Sequence, residues 1–153
     1  MVEAARLISV IGAGAASERQ KQDARRVGEL LARAGWGVVC GGLAGVMSAA
    51  CEGCARAGGL TVGLLPGAEP GAASPWCRVV LPTGLGQARN ALVVLAGRGA
   101  IAVGGGGGTL SEIGHALKAG RPVVSLGSWL VEGVPQADSP EQTVEMVLRL
   151  VQG

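Results

Sequence analysis

Gly104-Gly105-Gly106-Gly107-Gly108-Thr109-Leu110-Ser111-Glu112 is the stretch on which the fold turns. Before it stands Ala100-Ile101-Ala102-Val103, an uninterrupted apolar run of the kind found in parallel strands buried on both faces. After it comes Ile113-Gly114-His115-Ala116-Leu117, whose apolar spacing predicts a helix. The order is strand, glycine loop, helix. Consecutive glycines remove every Cβ from the turn and let the backbone approach a ligand closely. Thr109 is a good N-cap, and Thr109-Leu110-Ser111-Glu112 fits a capping box. The first N–H groups of such a helix lack internal partners and its dipole favours an anion, so phosphate is the ligand that suits the loop. No Lys follows the glycines, which excludes a Walker A loop.

Outward from this loop the chain alternates. Arg6–Ile11 predicts a first strand, followed by Gly12-Ala13-Gly14-Ala15-Ala16-Ser17 and an amphipathic helix to Ala34, closed by Gly35. Trp36–Cys40 predicts a second strand, followed by Gly41-Gly42-Leu43-Ala44-Gly45-Val46-Met47 and a helix to Ala57. Leu60–Leu65 and Arg78–Leu81 read as strands around a Pro- and Gly-rich loop, Gly67–Trp76. A helix over Leu85–Ala96 precedes Ala100–Val103. Ser111–Lys118 reads as a helix, Pro122–Leu126 as the last strand and Pro140–Val151 as a terminal helix. Strands alternating with helices imply an α/β, Rossmann-like three-layer α/β/α sandwich with a parallel sheet, in one domain over 1–153.

Composition bounds the function. The chain has 153 residues, 48% hydrophobic and 16% charged, with 28 Gly and neither Tyr nor Phe. Its core must be packed from Val, Leu, Ile and Ala. A net charge of +2 is too small to suggest a nucleic-acid partner, and three Trp make no base-stacking platform. Leu7–Ala16 imitates a signal-peptide core, but Glu3 precedes it and cleavage would remove the first strand. No stretch reads as a membrane span, and a cytoplasmic location is expected. Cys51-Glu52-Gly53-Cys54 has C-x-x-C spacing but falls within a predicted helix, without a second ligand pair. Structural thiols are expected, and no metal site. A dinucleotide oxidoreductase is disfavoured: Ser17 replaces the third glycine of the first loop, and no acid follows the second strand to hold a ribose.

Three blocks, Gly41-Gly42-Leu43-Ala44-Gly45-Val46-Met47, Gly86-Gln87-Ala88-Arg89-Asn90 and Gly105–Glu112, together resemble the LOG ("Lonely Guy") family and its relatives labelled "possible lysine decarboxylase". The short form is similar to a branch that includes molybdenum-cofactor carrier proteins. The resemblance covers nearly the whole chain and implies either a nucleoside 5′-monophosphate phosphoribohydrolase or a non-catalytic carrier of a nucleotide or pterin. It also implies a homodimer or higher homo-oligomer paired through helices near the site. The family's Pro before the glycines is Gly104 here, and its Arg-Lys pair is Arg89-Asn90. Lys21 and Lys118, the two lysines, lie in polar helical contexts with no sign of a pyridoxal site, so decarboxylation is not expected.

The chemistry of the residues agrees with a phosphate site. N-glycosidic cleavage builds positive charge on the ribose, which a carboxylate can stabilise while activating water. Glu112, one turn beyond Thr109, is the candidate for that role. Arg89 could bind phosphate bidentately or orient the carboxylate. The candidate ligand-binding residues are Gly12, Gly14, Gly41, Gly42, Gly45, Met47, Asn90, Gly105, Gly106, Gly107, Gly108 and Thr109. No cofactor is required by this chemistry; the resemblance implies a nucleotide or a molybdopterin-type molecule as the bound ligand. The helix over Leu85–Ala96 is apolar on more than one face and wants cover on two sides.

Overall fold

The structure is a computed structural model that describes residues 4–153; Glu3 lies outside them. Six parallel strands form one sheet in the order β4-β3-β2-β1-β5-β6. They are β1 (Leu7–Gly12), β2 (Gly37–Cys40), β3 (Thr61–Leu65), β4 (Val79–Pro82), β5 (Ala100–Val103) and β6 (Val123–Leu126). Five helices cover it: α1 (Glu18–Arg33), α2 (Val46–Arg56), α3 (Arg89–Ala96), α4 (Gly107–Lys118) and α5 (Pro140–Gln152). This is the Rossmann-like three-layer sandwich expected from the alternation.

The pleat sorts the strand side chains into two cores. Ile8, Val10, Val38, Cys40, Ile101 and Val103 pack with α1, α2 and α5, whereas Leu7, Ile11, Val39, Ala100 and Ala102 pack with α3 and α4. Strand pairs run from β1 outward to β4 on one side. The chain then returns to place β5 and β6 on the other. The strand order therefore reverses between β1 and β5, and an open α/β sheet leaves its ligand crevice beyond the carboxyl ends at that point.

Helix α1 begins as its sequence indicates. Ser17 Oγ accepts from the Gln20 N–H, and Gln20 Oε1 accepts from the Ser17 N–H, a complete capping box. Helix α3 is shorter than expected: Gly86–Ala88 form a 3₁₀ turn and the α-helix starts at Arg89. Within the sequence block expected to cap the central helix, Thr109 is not the N-cap. Helix α4 begins at Gly107, Gly106 is its N-cap, and no side chain caps it. A glycine run carries no side chain that could stop the helix early. The loop is instead held from outside, by Ser128 Oγ donating to the Gly104 carbonyl and Trp129 Nε1 donating to the Gly106 carbonyl at 3.0 Å. Thr109 and Glu112 thus become the third and sixth residues of the helix, and both are buried.

Helices α1 and α2 meet backbone to backbone. A Cβ on Gly53 would stand 1.8 Å from the Arg25 carbonyl oxygen, and one on Gly28 would stand 2.0 Å from that of Ala50. In an exposed helix Gly→Ala gains about 1 kcal/mol. Here the sign should reverse, because overpacking costs about 1–3 kcal/mol. Gly53→Ala is expected to lower Tm by several degrees, at about 2–4 °C per kcal/mol for a chain of this size. An unchanged or raised Tm in a thermal melt would contradict this close helix contact. Among the described residues, no helix is long and apolar enough to cross a membrane.

Candidate functional site

The loops that leave β1, β2 and β5 converge at the switch point. One cavity of about 200 Å³ is lined by Gly12, Ala13 and Gly14 after β1, and by Met47 at the start of α2. Gln87, Arg89 and Asn90 close it from the α3 side, and Gly106, Gly108, Thr109 and Glu112 from α4. Helix α4 is therefore aimed into the cavity by its amino end. Its first ladder bond runs from the Leu110 N–H to the Gly106 carbonyl, 3.1 Å. The N–H groups of Gly107, Gly108 and Thr109 precede that bond and have no partner within the helix. With the helix dipole behind them they have the donor geometry that suits an anion.

Arg89 supplies the positive charge. It is 8% exposed although charged. Its Nη2 donates to the Gly41 carbonyl at 3.3 Å, and its Nη1 donates to Asn90 Oδ1. Asn90 is fixed in turn, because its Nδ2 donates to Gln87 Oε1 at 3.1 Å. Arg89 Nε is buried and unpartnered. Buried guanidinium N–H groups are costly to leave unpaired, so Nε is a donor that a bound anion would satisfy. Gly41 makes room for this arrangement: a Cβ there would lie 2.7 Å from Arg89 Nη2 and 2.9 Å from Met47 Sδ.

Glu112 is the one acid of the cavity lining. Burial pushes its carboxyl up to about 7, and the nearby Arg89 guanidinium opposes that rise only in part. Burial likewise pushes Arg89 downward, and Glu112 counters it. The two charges act on each other across the cavity while the guanidinium spends its hydrogen bonds on Gly41 and Asn90. A carboxyl near 7 holds and releases a proton at neutral pH, the condition for general acid–base work.

The structure brings Gly12, Gly14, Met47, Arg89, Asn90, Gly106, Gly108, Thr109 and Glu112 into this lining, and Gly41 directly behind Arg89. Gly42, Gly45 and Gly105 shape the loops with positive φ rather than lining the cavity, and Gly107 starts α4. Ala13 and Gln87 were not singled out from sequence. Gln87 lies in the Gly86–Asn90 block, but nothing in a lone Gln marks it as the brace for Asn90. Ala13 contributes only backbone and a methyl group.

Comparison with known proteins identifies the family and agrees with the fold. The chain matches the SLOG cluster4 family over residues 5–150. It is 42% identical over 138 residues to an uncharacterized protein of Archaeoglobus fulgidus, covering 90% of this chain and 91% of that one. Among solved structures it is similar to the molybdenum cofactor binding protein of the phototrophic bacterium Rippkaea orientalis. That match has 35% identity and a TM-score of 0.90, over 96% of this chain and 98% of that one. The molybdenum cofactor carrier protein of Chlamydomonas reinhardtii aligns at 33% identity with a TM-score of 0.90, over 97% and 99% of the two chains. The chain belongs to the SLOG cluster4 family, and the LOG-like resemblance read from its three glycine-bearing blocks stands.

Proposed function

We propose that this SLOG protein binds a phosphorylated small molecule at the β1–β5 switch point. The phosphate would sit on the Gly107, Gly108 and Thr109 N–H groups, with Arg89 beside it. The carrying observation is that two sets of unpartnered donors face one cavity: the amino end of α4 and the buried Nε of Arg89. A phosphate there puts the attached sugar one helical turn away, beside Glu112. That geometry supports hydrolysis of the N-glycosidic bond of a nucleoside 5′-monophosphate. The Glu112 carboxylate would stabilise the oxocarbenium-like ribose as the C1′–N bond breaks, then take the proton of the water that adds to C1′, while the departing base takes up a proton from solvent.

A second reading, a carrier of molybdenum cofactor or a related phosphorylated pterin, is favoured by the names of the two solved relatives. The residues fit such a cargo at its phosphate, through the same donors. A cavity of about 200 Å³ holds a phosphate and the adjoining ring and leaves the remainder of a larger ligand outside. Incubation with a panel of nucleoside 5′-monophosphates, assayed for free base and ribose 5-phosphate, separates the readings. Release of base supports the hydrolase. Retention of a phosphorylated pterin without release from any nucleotide supports the carrier. Failure to bind either class removes both.

The assembly we propose is a homodimer. Leu92 and Leu95 on α3 and Leu110 on α4 are exposed, while Val93 and Val94 of the same helix are buried in the core. Helix α3 thus has a second apolar face next to the site. Light scattering at micromolar concentration is expected to give twice the mass of the 15.1 kDa chain. A monomer would rule this out.

A further inference from the structure

Behind the ligand cavity, on the other side of the Gly41 turn, three thiols meet. Cys40 ends β2, Cys51 lies in the middle of α2, and Cys77 stands in the loop just before β4. Their sulfurs are 3.5 Å apart for Cys40 and Cys51 and 3.9 Å for Cys51 and Cys77, and all three lie within 4.8 Å of one another. The C-x-x-C spacing plays no part in this, because the Cys54 thiol faces the Leu60 carbonyl instead. All four cysteines are free thiols.

We propose that Cys40, Cys51 and Cys77 form a binding site for one soft monovalent d10 cation, Cu(I). Sulfur ligands held at roughly 2.3 Å around one ion stand about 3.8–4.0 Å from each other, close to the spacing already present. The site therefore needs sub-ångström adjustment rather than a new fold. Soft thiolates select Cu(I), and the geometry speaks against a structural zinc site, which takes four ligands. Among the described residues the group contains no fourth His, Cys, Asp or Glu.

The surroundings leave the sulfurs room and give one of them a backbone donor. The Gly42 N–H points at Cys40 Sγ from 3.3 Å. Gly63 lacks the Cβ that would stand 2.8 Å from Cys77 Sγ. Binding releases the thiol protons to solvent, and three thiolates with one monovalent ion carry a net charge of minus two. The buried Arg89 guanidinium, hydrogen-bonded to the Gly41 carbonyl next to Cys40, stands nearby with the opposite sign. Entry is available at Cys77. It is half-buried and lines a surface cavity of about 240 Å³ together with Ala55, Gly59, Pro75, Trp76 and Arg78.

The test is anaerobic titration of the reduced full chain with Cu(I) against a chromogenic Cu(I) chelator. One ion per chain should be retained, with a sulfur-only shell at roughly 2.3 Å by X-ray absorption. Cys51→Ser and Cys77→Ser should each weaken retention at least tenfold, and Cys54→Ser should leave it unchanged. Cys77 sits in a half-exposed loop, so its variant keeps the test valid if the buried Cys51→Ser fails to fold. Three outcomes would overturn the proposal. They are no retention by the wild type, equal loss in Cys54→Ser, and displacement of Cu(I) by an equal concentration of Zn(II). A fourth, a Cys40–Cys51 disulfide forming in air while the reduced chain ignores Cu(I), would make the cluster a redox pair instead.

Discussion

Glu112→Gln is expected to reduce base release from a nucleoside 5′-monophosphate by about 100-fold or more, the scale of a positioned acid–base group. Affinity for the unreacted nucleotide should stay nearly constant, because the phosphate is held by α4 and Arg89. The substitution keeps volume and shape and removes only the ability to carry charge and move a proton. It also has a consequence that does not depend on catalysis. In the folded chain burial raises the Glu112 carboxyl from 4.5 to about 7. Between those values the folded state holds a proton that the unfolded state has released, so stability falls as pH rises through the window and levels off above it. The upper bound on this loss is roughly 3 kcal/mol, at about 1.4 kcal/mol per pH unit. Glu112→Gln should flatten that slope and stabilise the protein at pH 8 in denaturant titrations. Undiminished base release in the variant would remove Glu112 from the mechanism. A slope that survives the substitution would show that the carboxyl is not held up by its burial. A variant both more stable and less active would mark Glu112 as a residue retained at the expense of stability.

Much of this was legible in the chain. Apolar runs bounded by glycine and proline located all six strands to within a residue or two. The start of α4 was not legible, because glycines carry no side chain to report where a helix begins, and Thr109 was the first residue that resembled a cap. Its true place at the third helical position is what buries Glu112 and raises its carboxyl. The closeness of α1 to α2 was hidden in single glycines, Gly28 and Gly53, whose meaning appears only across the interface. The thiol cluster was hidden for a related reason. Its members come from a strand end, a helix and a loop, and the one local motif, Cys51 with Cys54, points to the wrong pair.

Arg89→Ala should weaken binding of a phosphorylated ligand roughly 10- to 100-fold, the range for charge-assisted hydrogen bonds in a buried site. The corresponding unphosphorylated ligand should bind almost as before, and isothermal titration of the matched pair measures the contrast. Arg89→Lys is expected to recover little. An ammonium lacks the planar fork that reaches Gly41, Asn90 and an anion together. The two single substitutions are also coupled. Removing the guanidinium takes away the charge that restrains the Glu112 carboxyl, so the acid limb of any pH–rate profile should move upward. Gly41→Ala offers a milder version of the same experiment. Its methyl would occupy space 2.7 Å from Arg89 Nη2, displacing the guanidinium without deleting it. If the phosphate contact depends on that side chain, Gly41→Ala should lose part of the phosphate discrimination and Arg89→Ala nearly all of it. Equal weakening of the phosphorylated and unphosphorylated ligands would place Arg89 outside the phosphate site and leave the amino end of α4 as its sole holder.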